Sequence, residues 1–220
     1  ASTYGINIYC ANRSYFANNT LMNPGGWIST TWAYDNNFTN TTFWMPSGSI
    51  TILPMVTVND TDTITKAKLN IRYNSAFLNS TKLPYLNTSA LITLSNTNLQ
   101  VPRVIVDYED DSSYADCPAS ICTLLSASGG TVLFDVTQFT SYSLGGISLE
   151  KRDSPDPVNI SSYLNYTIII NVTAGNLSNV TLTDTYPEQV IYQSAQPDPL
   201  PDTNNTFILG NLSTGAIVRV

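Results

Sequence analysis

The chain has 220 residues with nine Lys and Arg against sixteen Asp and Glu, a net charge of −7, and no histidine. This excludes a basic nucleic-acid surface and leaves Ser-His-Asp and Cys-His catalysis without a base, while no run approaches the ~20 apolar residues that span a bilayer. With 42% hydrophobic and only 11% charged residues, packed cores are expected, and neutral polar groups must carry solubility.

The opening segment ASTYGINIYC places Tyr4, Ile6, Ile8 and Cys10 on one face and Thr3, Gly5, Asn7 and Tyr9 on the other, without charge. No hairpin partner follows it. Residues 1–10 are therefore expected to form an extended strand that completes the sheet of a neighbouring subunit through Tyr4, Ile6 and Ile8; pairing within its own domain is the alternative. No charged and apolar leader opens the chain, which reads as a mature secreted product.

Residues 11–148 are expected to form a first β-sandwich. Its aromatic stretch contains Trp27, Trp32, Tyr34, Phe38, Phe43 and Trp44, which suit either a core or a platform for stacking sugars. KAKLNIRY alternates Ala67, Leu69, Ile71 and Tyr73 with Lys66, Lys68, Asn70 and Arg72, the period of a one-faced strand. SITI, VTVN, ALITL, RVIVDY, TVLFDV and FILGNL are shorter cases, and no amphipathic helix interrupts them. Short strands between Asn, Asp, Gly, Pro and Ser turns predict an all-β chain of two antiparallel, immunoglobulin-like sandwiches.

Asp107, Glu109, Asp110 and Asp111 could supply oxygens to calcium but lack the spacing of an EF-hand loop, so a solvated turn is the default; Asp60 and Asp62 are a lesser pair. Of three cysteines, Cys117 and Cys122 in CPASIC suit a short disulfide loop in an oxidising compartment. Three single-bridge pairings exist in principle, and this one leaves Cys10 over. Three spread cysteines without histidine make no zinc site. Two carboxylates suffice for a glycosidase, but no spacing selects a pair, so no enzyme and no cofactor are expected. Around the cysteines, ALITLSNTNLQVPRVIVDYEDDSSYADCPASICTLLSASGGTVLFDVTQFTSYSL resembles a β-module of archaeal cell-surface proteins, in which a paired-cysteine turn precedes the segment seen here at Gly130 to Ser143.

Charge and proline gather in LEKRDSPDPVN, so residues 149–158 are expected to be a linker before a second domain, residues 159–220. That domain opens with five Asn-X-Ser/Thr triplets in 26 residues, at Asn159, Asn165, Asn171, Asn176 and Asn179. Asn12, Asn18, Asn37, Asn40, Asn59, Asn79, Asn87, Asn204 and Asn211 bring the total to fourteen, against roughly five from chance pairing of these residue types. In YLNYTIIINVT the even positions Leu164, Tyr166, Ile168, Ile170 and Val172 are apolar and Asn165 and Asn171 fall on the odd face. Val180 and Leu182 likewise oppose Asn179. The triplets thus lie where covalent N-linked glycans can be attached.

Tyr166 to Asn171, Asn179 to Pro187 and Leu209 to Gly215 carry the landmarks of an immunoglobulin-like repeat of unknown function in archaeal and bacterial surface proteins, which this region resembles over about 65 residues. The resemblance implies a long final strand, whereas this sequence stops at GAIVRV, so an open sheet edge is expected there. Together these features predict a structural subunit of a secreted, heavily N-glycosylated extracellular filament, a homo-oligomer assembled head to tail by β-strand addition. A monomeric cell-surface adhesin or carbohydrate-binding module, with glycan or cell-surface contacts, is the alternative.

Overall fold

The computed structural model describes residues 4–22, 24–60, 63–111, 113–174 and 176–220. Ser2 and Thr3 of the expected amino-terminal strand, and Asp62, lie outside the described residues. The fold is all-β, with several antiparallel sheets and, among the described residues, one 3₁₀ turn at Pro84–Leu86. Two compact units divide it: the first runs to Asn98 and resumes over Val104–Leu144, and the second combines Leu99–Arg103 with Gly145–Val220.

Unit 1 begins with β1 (Tyr4–Tyr9), β2 (Tyr15–Ala17) and β3 (Thr20–Met22), followed by β4 (Gly26–Thr31), β5 (Asn36–Thr39) and β6 (Thr41–Met45). These six strands form three parallel pairs, with Tyr4 opposite Gly26, Phe16 opposite Phe38 and Leu21 opposite Phe43. Each pairing joins residue i to residue i+22, so residues 4–22 and 26–44 trace the same bent path one above the other. The bends match as well: Cys10 and Trp32, Arg13 and Asp35, and Asn18 and Asn40 all have left-handed φ between 45° and 56°. Stacking continues through side chains, with the Phe16 and Phe38 rings 4.6 Å apart and Asn40 Nδ2 donating to Asn18 Oδ1 at 2.7 Å. Parallel stacking of identical bends keeps main-chain hydrogen bonds running around corners, as in solenoid turns.

The remainder of unit 1 is made by β7 (Gly48–Ile52), β8 (Val56–Val58), β9 (Leu69–Arg72), β10 (Ser75–Leu78), β11 (Ala90–Ser95), the later part of β12 (Val101–Asp107), β13 (Ala115–Asp116), β14 (Cys122–Ser128), β15 (Thr131–Val136) and the start of β16 (Ser141–Ser154). A six-stranded sheet has the order β14-β15-β11-β7-β6-β3, and a three-stranded one the order β2-β5-β8. Alternation places Ile50, Ile52, Ile92, Leu94, Val132, Phe134 and Val136 in the core, each at most 2% exposed. Burial of side chains of this size stabilises by roughly 1.5–3 kcal/mol each. Tyr142 is fully buried, stacks with Phe139 and donates its hydroxyl to the Gln138 carbonyl at 2.5 Å, as a tyrosine does at the corner of many sandwich domains. In KAKLNIRY only Leu69 and Ile71 are buried. Ala67 lies in the turn that precedes β9 and Tyr73 in the turn that follows it, so both are exposed.

In unit 2 the later part of β16 pairs with β17 (Asn165–Ala174), β18 (Leu177–Thr183) pairs antiparallel with β19 (Thr206–Leu212), and β20 (Ile217–Arg219) pairs with β17. The core is Ile168, Ile170, Val172, Leu177, Leu182, Phe207 and Leu212, so the predicted even face of β17 is the buried one. The expected linker at 149–158 is corrected here. Leu149 to Ser154 continue β16 and pair with Ile170 to Asn165 of β17. Glu150, Lys151, Arg152 and Asp153 stay exposed on this strand, so the charges meet water and the main chain still finds partners. Lys151 Nζ sits 2.6 Å from Asp184 Oδ1 and 4.2 Å from the centre of the Tyr166 ring.

Candidate functional site: acceptor asparagines and the first strand

None of the fourteen triplet asparagines is buried: ten are exposed, and Asn37, Asn59, Asn79 and Asn171 are half-buried. Among the described residues the one buried asparagine, Asn36, is 0% exposed and does not open a triplet. Hydrogen bonds to these side chains use mainly the carbonyl oxygen. Asn12 Oδ1 accepts from the Tyr34 amide at 2.8 Å, Asn37 Oδ1 from the Thr57 hydroxyl at 2.8 Å, Asn79 Oδ1 from the Lys82 amide at 2.9 Å and Asn211 Oδ1 from the Asn179 amide at 3.1 Å. An acceptor bond at Oδ1 orients the side chain while leaving Nδ2, the atom that carries an N-linked sugar, available. Asn40 differs, since its Nδ2 is engaged by Asn18.

Within this chain the first strand is seated in its own unit, parallel to β4, with Ile6 opposite Ile28 and Ile8 opposite Thr30. Ile8 is 4% exposed, Tyr4 and Ile6 are half-buried, and Gly5, Asn7 and Tyr9 face outward, so within this chain the apolar face of Tyr4, Ile6 and Ile8 is turned into its own unit, the alternative to filling the sheet of a neighbouring subunit. Cys10 departs from that face because its left-handed φ of 50° turns the chain, and its thiol is free and exposed. Gly5 is required by a close approach: a Cβ there would stand 2.4 Å from Leu21 Cδ2 and 3.2 Å from the Trp27 carbonyl. Among the described residues β1 pairs only with β4.

The aromatic stretch divides. Trp27, Phe38 and Phe43 are core, with Trp27 Nε1 donating to the Leu69 carbonyl at 2.7 Å. Trp32 (60% exposed), Tyr34 and Trp44 are outside, and Trp32 lies 5.5 Å from the equally exposed ring of Tyr9. Sequence reasoning missed this pairing of Tyr9 with Trp32, as it missed the 22-residue offset behind it. The signal was present in Ile6/Ile28, Ala11/Ala33, Phe16/Phe38, Asn18/Asn40 and Thr20/Thr42, which repeat at that spacing.

Cys117 and Cys122 form the expected disulfide, with Cα atoms 5.9 Å apart, between the end of β13 and the start of β14. The acidic turn is tied up by its own chain. Asp107 is 2% exposed, its Oδ1 accepts from the amides of Glu109 at 3.2 Å and Asp111 at 3.4 Å, and Asp110 accepts from the Ser141 hydroxyl. No three acidic, histidine or cysteine side chains converge as metal ligands among the described residues. Tyr114 beside this turn has its phenol raised above the ordinary range, first by burial and then by Asp107 and Asp110. No helix of the described residues is long and apolar enough to cross a membrane. No protein-family model, curated protein or solved structure matches the chain.

Proposed function

We propose that this protein is a non-enzymatic structural subunit of a secreted, N-glycosylated extracellular filament, joined head to tail by β-strand addition through its amino-terminal strand. The observation that carries the reading is the state of β1, an uncharged strand that, among the described residues, has one strand neighbour, β4. An edge strand is a template for pairing with another chain. The accessible acceptor asparagines support the extracellular setting: among the described residues the only buried Asn is Asn36, which does not open a triplet. The disulfide accords with an oxidising compartment, and the resemblance of the second unit to surface-protein repeats accords with the same setting.

A monomeric adhesin or carbohydrate-binding module is the second reading, favoured by the exposed Tyr9 and Trp32 rings 5.5 Å apart, which offer a stacking surface to a sugar. Negative-stain microscopy of the native glycoprotein separates the two: uniform fibres with a fixed axial repeat are expected, and deletion of residues 1–10 should abolish them. A protein that stays monomeric at every concentration and binds a glycan array would replace the filament with the adhesin. Intact-mass spectrometry should show sugar well above the 24.0 kDa of the bare chain; the bare mass from native material would refute the glycoprotein reading.

A further inference from the structure

We propose that the outer edge of β14 is the acceptor surface for β1 of a second copy of this chain, which remains seated on its own β4 and pairs through the edge that β4 does not occupy. This rests on the strand-addition reading above and names the surface that receives the strand. β14 is an edge of the six-stranded sheet, seven residues long, with the sequence CTLLSAS and so without a charge or a proline. Those are the devices by which soluble proteins blunt an edge.

Its inward face is also uncovered. Leu124 stands directly opposite Phe134 on β15 and Ala127 opposite Val132, and residues directly opposite share a face. Yet Phe134 and Val132 are 0% and 2% exposed, whereas Leu124 is 48% exposed, and Leu125 in the adjacent bulge is 50% exposed. The layer that covers β15 stops short of β14.

The distribution of acceptor asparagines leaves both strands clear. Residues 99–158 contain no asparagine at all, so no triplet lies between Asn87 and Asn159, and none precedes Asn12. A sugar beside an edge strand blocks main-chain pairing, and in a chain with fourteen acceptors β1 and β14 are both free of them. β1 matches the acceptor in length, six residues against seven, and neither carries a charge. β3, at the far edge of the six-stranded sheet, offers only three residues. At the end of β1 the exposed Tyr9 and Trp32 rings supply apolar surface to set beside Leu124 and Leu125, and such aromatics are enriched where proteins meet. Because the donating and receiving surfaces differ, the contact is heterologous and propagates as an open chain.

The test uses the full-length chain. A photo-crosslinking residue at Leu125 should join residues 4–10 of another copy in assembled material. The double change Leu124→Lys and Leu125→Lys should abolish fibres while leaving the thermal midpoint of the monomer unchanged, since both side chains are exposed there. Crosslinks that map to residues 20–22 or elsewhere, or fibres from the double variant at wild-type yield, overturn the β14 assignment while strand addition itself stands. A wild-type chain that never assembles overturns both.

Discussion

Tyr142 concentrates at one residue what holds the corner of unit 1. Its ring is fully buried against Phe139 and Phe134 and its hydroxyl satisfies the Gln138 carbonyl. Tyr142→Phe keeps the packing and removes that bond, so unfolding free energy should fall by about 1 kcal/mol in denaturant titration. The phenol also sets a pH dependence, because burial raises it well above the ordinary tyrosine value of 10.0. Below that value both folded and unfolded chains keep the proton, and the favourable environment is fully expressed. Above it the unfolded chain ionises first, so stability falls as pH rises through the alkaline range. Tyr142→Phe should flatten that fall; an unchanged alkaline slope in the variant would place the effect at other tyrosines, such as Tyr114, whose phenol is also raised.

At the scale of elements, β1 and the β13–β14 connection each depend on one local feature. Gly5→Val would drive a side chain into Leu21 and the Trp27 carbonyl, and overpacking of this kind costs about 1–3 kcal/mol. Hydrogen exchange should then accelerate in residues 4–9 while β11 and β15 keep their protection. The disulfide closes a loop with a sequence separation of only five, so its loss should cost about 2 kcal/mol by loop-closure entropy. Reduction should accordingly lower the denaturation midpoint without unfolding the chain, and complete unfolding on reduction alone would contradict this. Periodicity located these strands well where one face is buried, as in β17 and β15. It failed on 149–154, where a charged stretch with every side chain exposed gives no alternation to read although the main chain is fully paired with β17.

At the scale of the whole molecule each unit keeps its own interior. Among the described residues unit 2 has a core of seven buried apolar side chains and a partly buried ion pair, Lys151 with Asp184, whose carboxylate is 9% exposed. Asp184→Ala removes the partner of the lysine and leaves its stem over Tyr166, so unit 2 should lose about 1–3 kcal/mol. Amide exchange should accelerate in β17 and β18 and stay unchanged in β7, β11 and β15; equal acceleration in both sets would mean that the two cores unfold as one.

What the sequence determined by itself was the all-β class, the buried phase of β1 and β17, the outward placement of Asn165 and Asn179, and the Cys117–Cys122 bridge. Each follows from spacing along the chain, and a period of two or a gap of five residues is visible without a fold. Only the tertiary structure decided that residues 4–22 lie parallel upon 26–44, that Trp32 is exposed while Trp27 is core, that the acidic turn spends Asp107 on its own amides, and that Leu124 is left uncovered. Those outcomes depend on which distant strands become neighbours: Leu124 and Phe134 look alike in a hydrophobic pattern, and only the extent of the covering layer separates a core residue from an open edge.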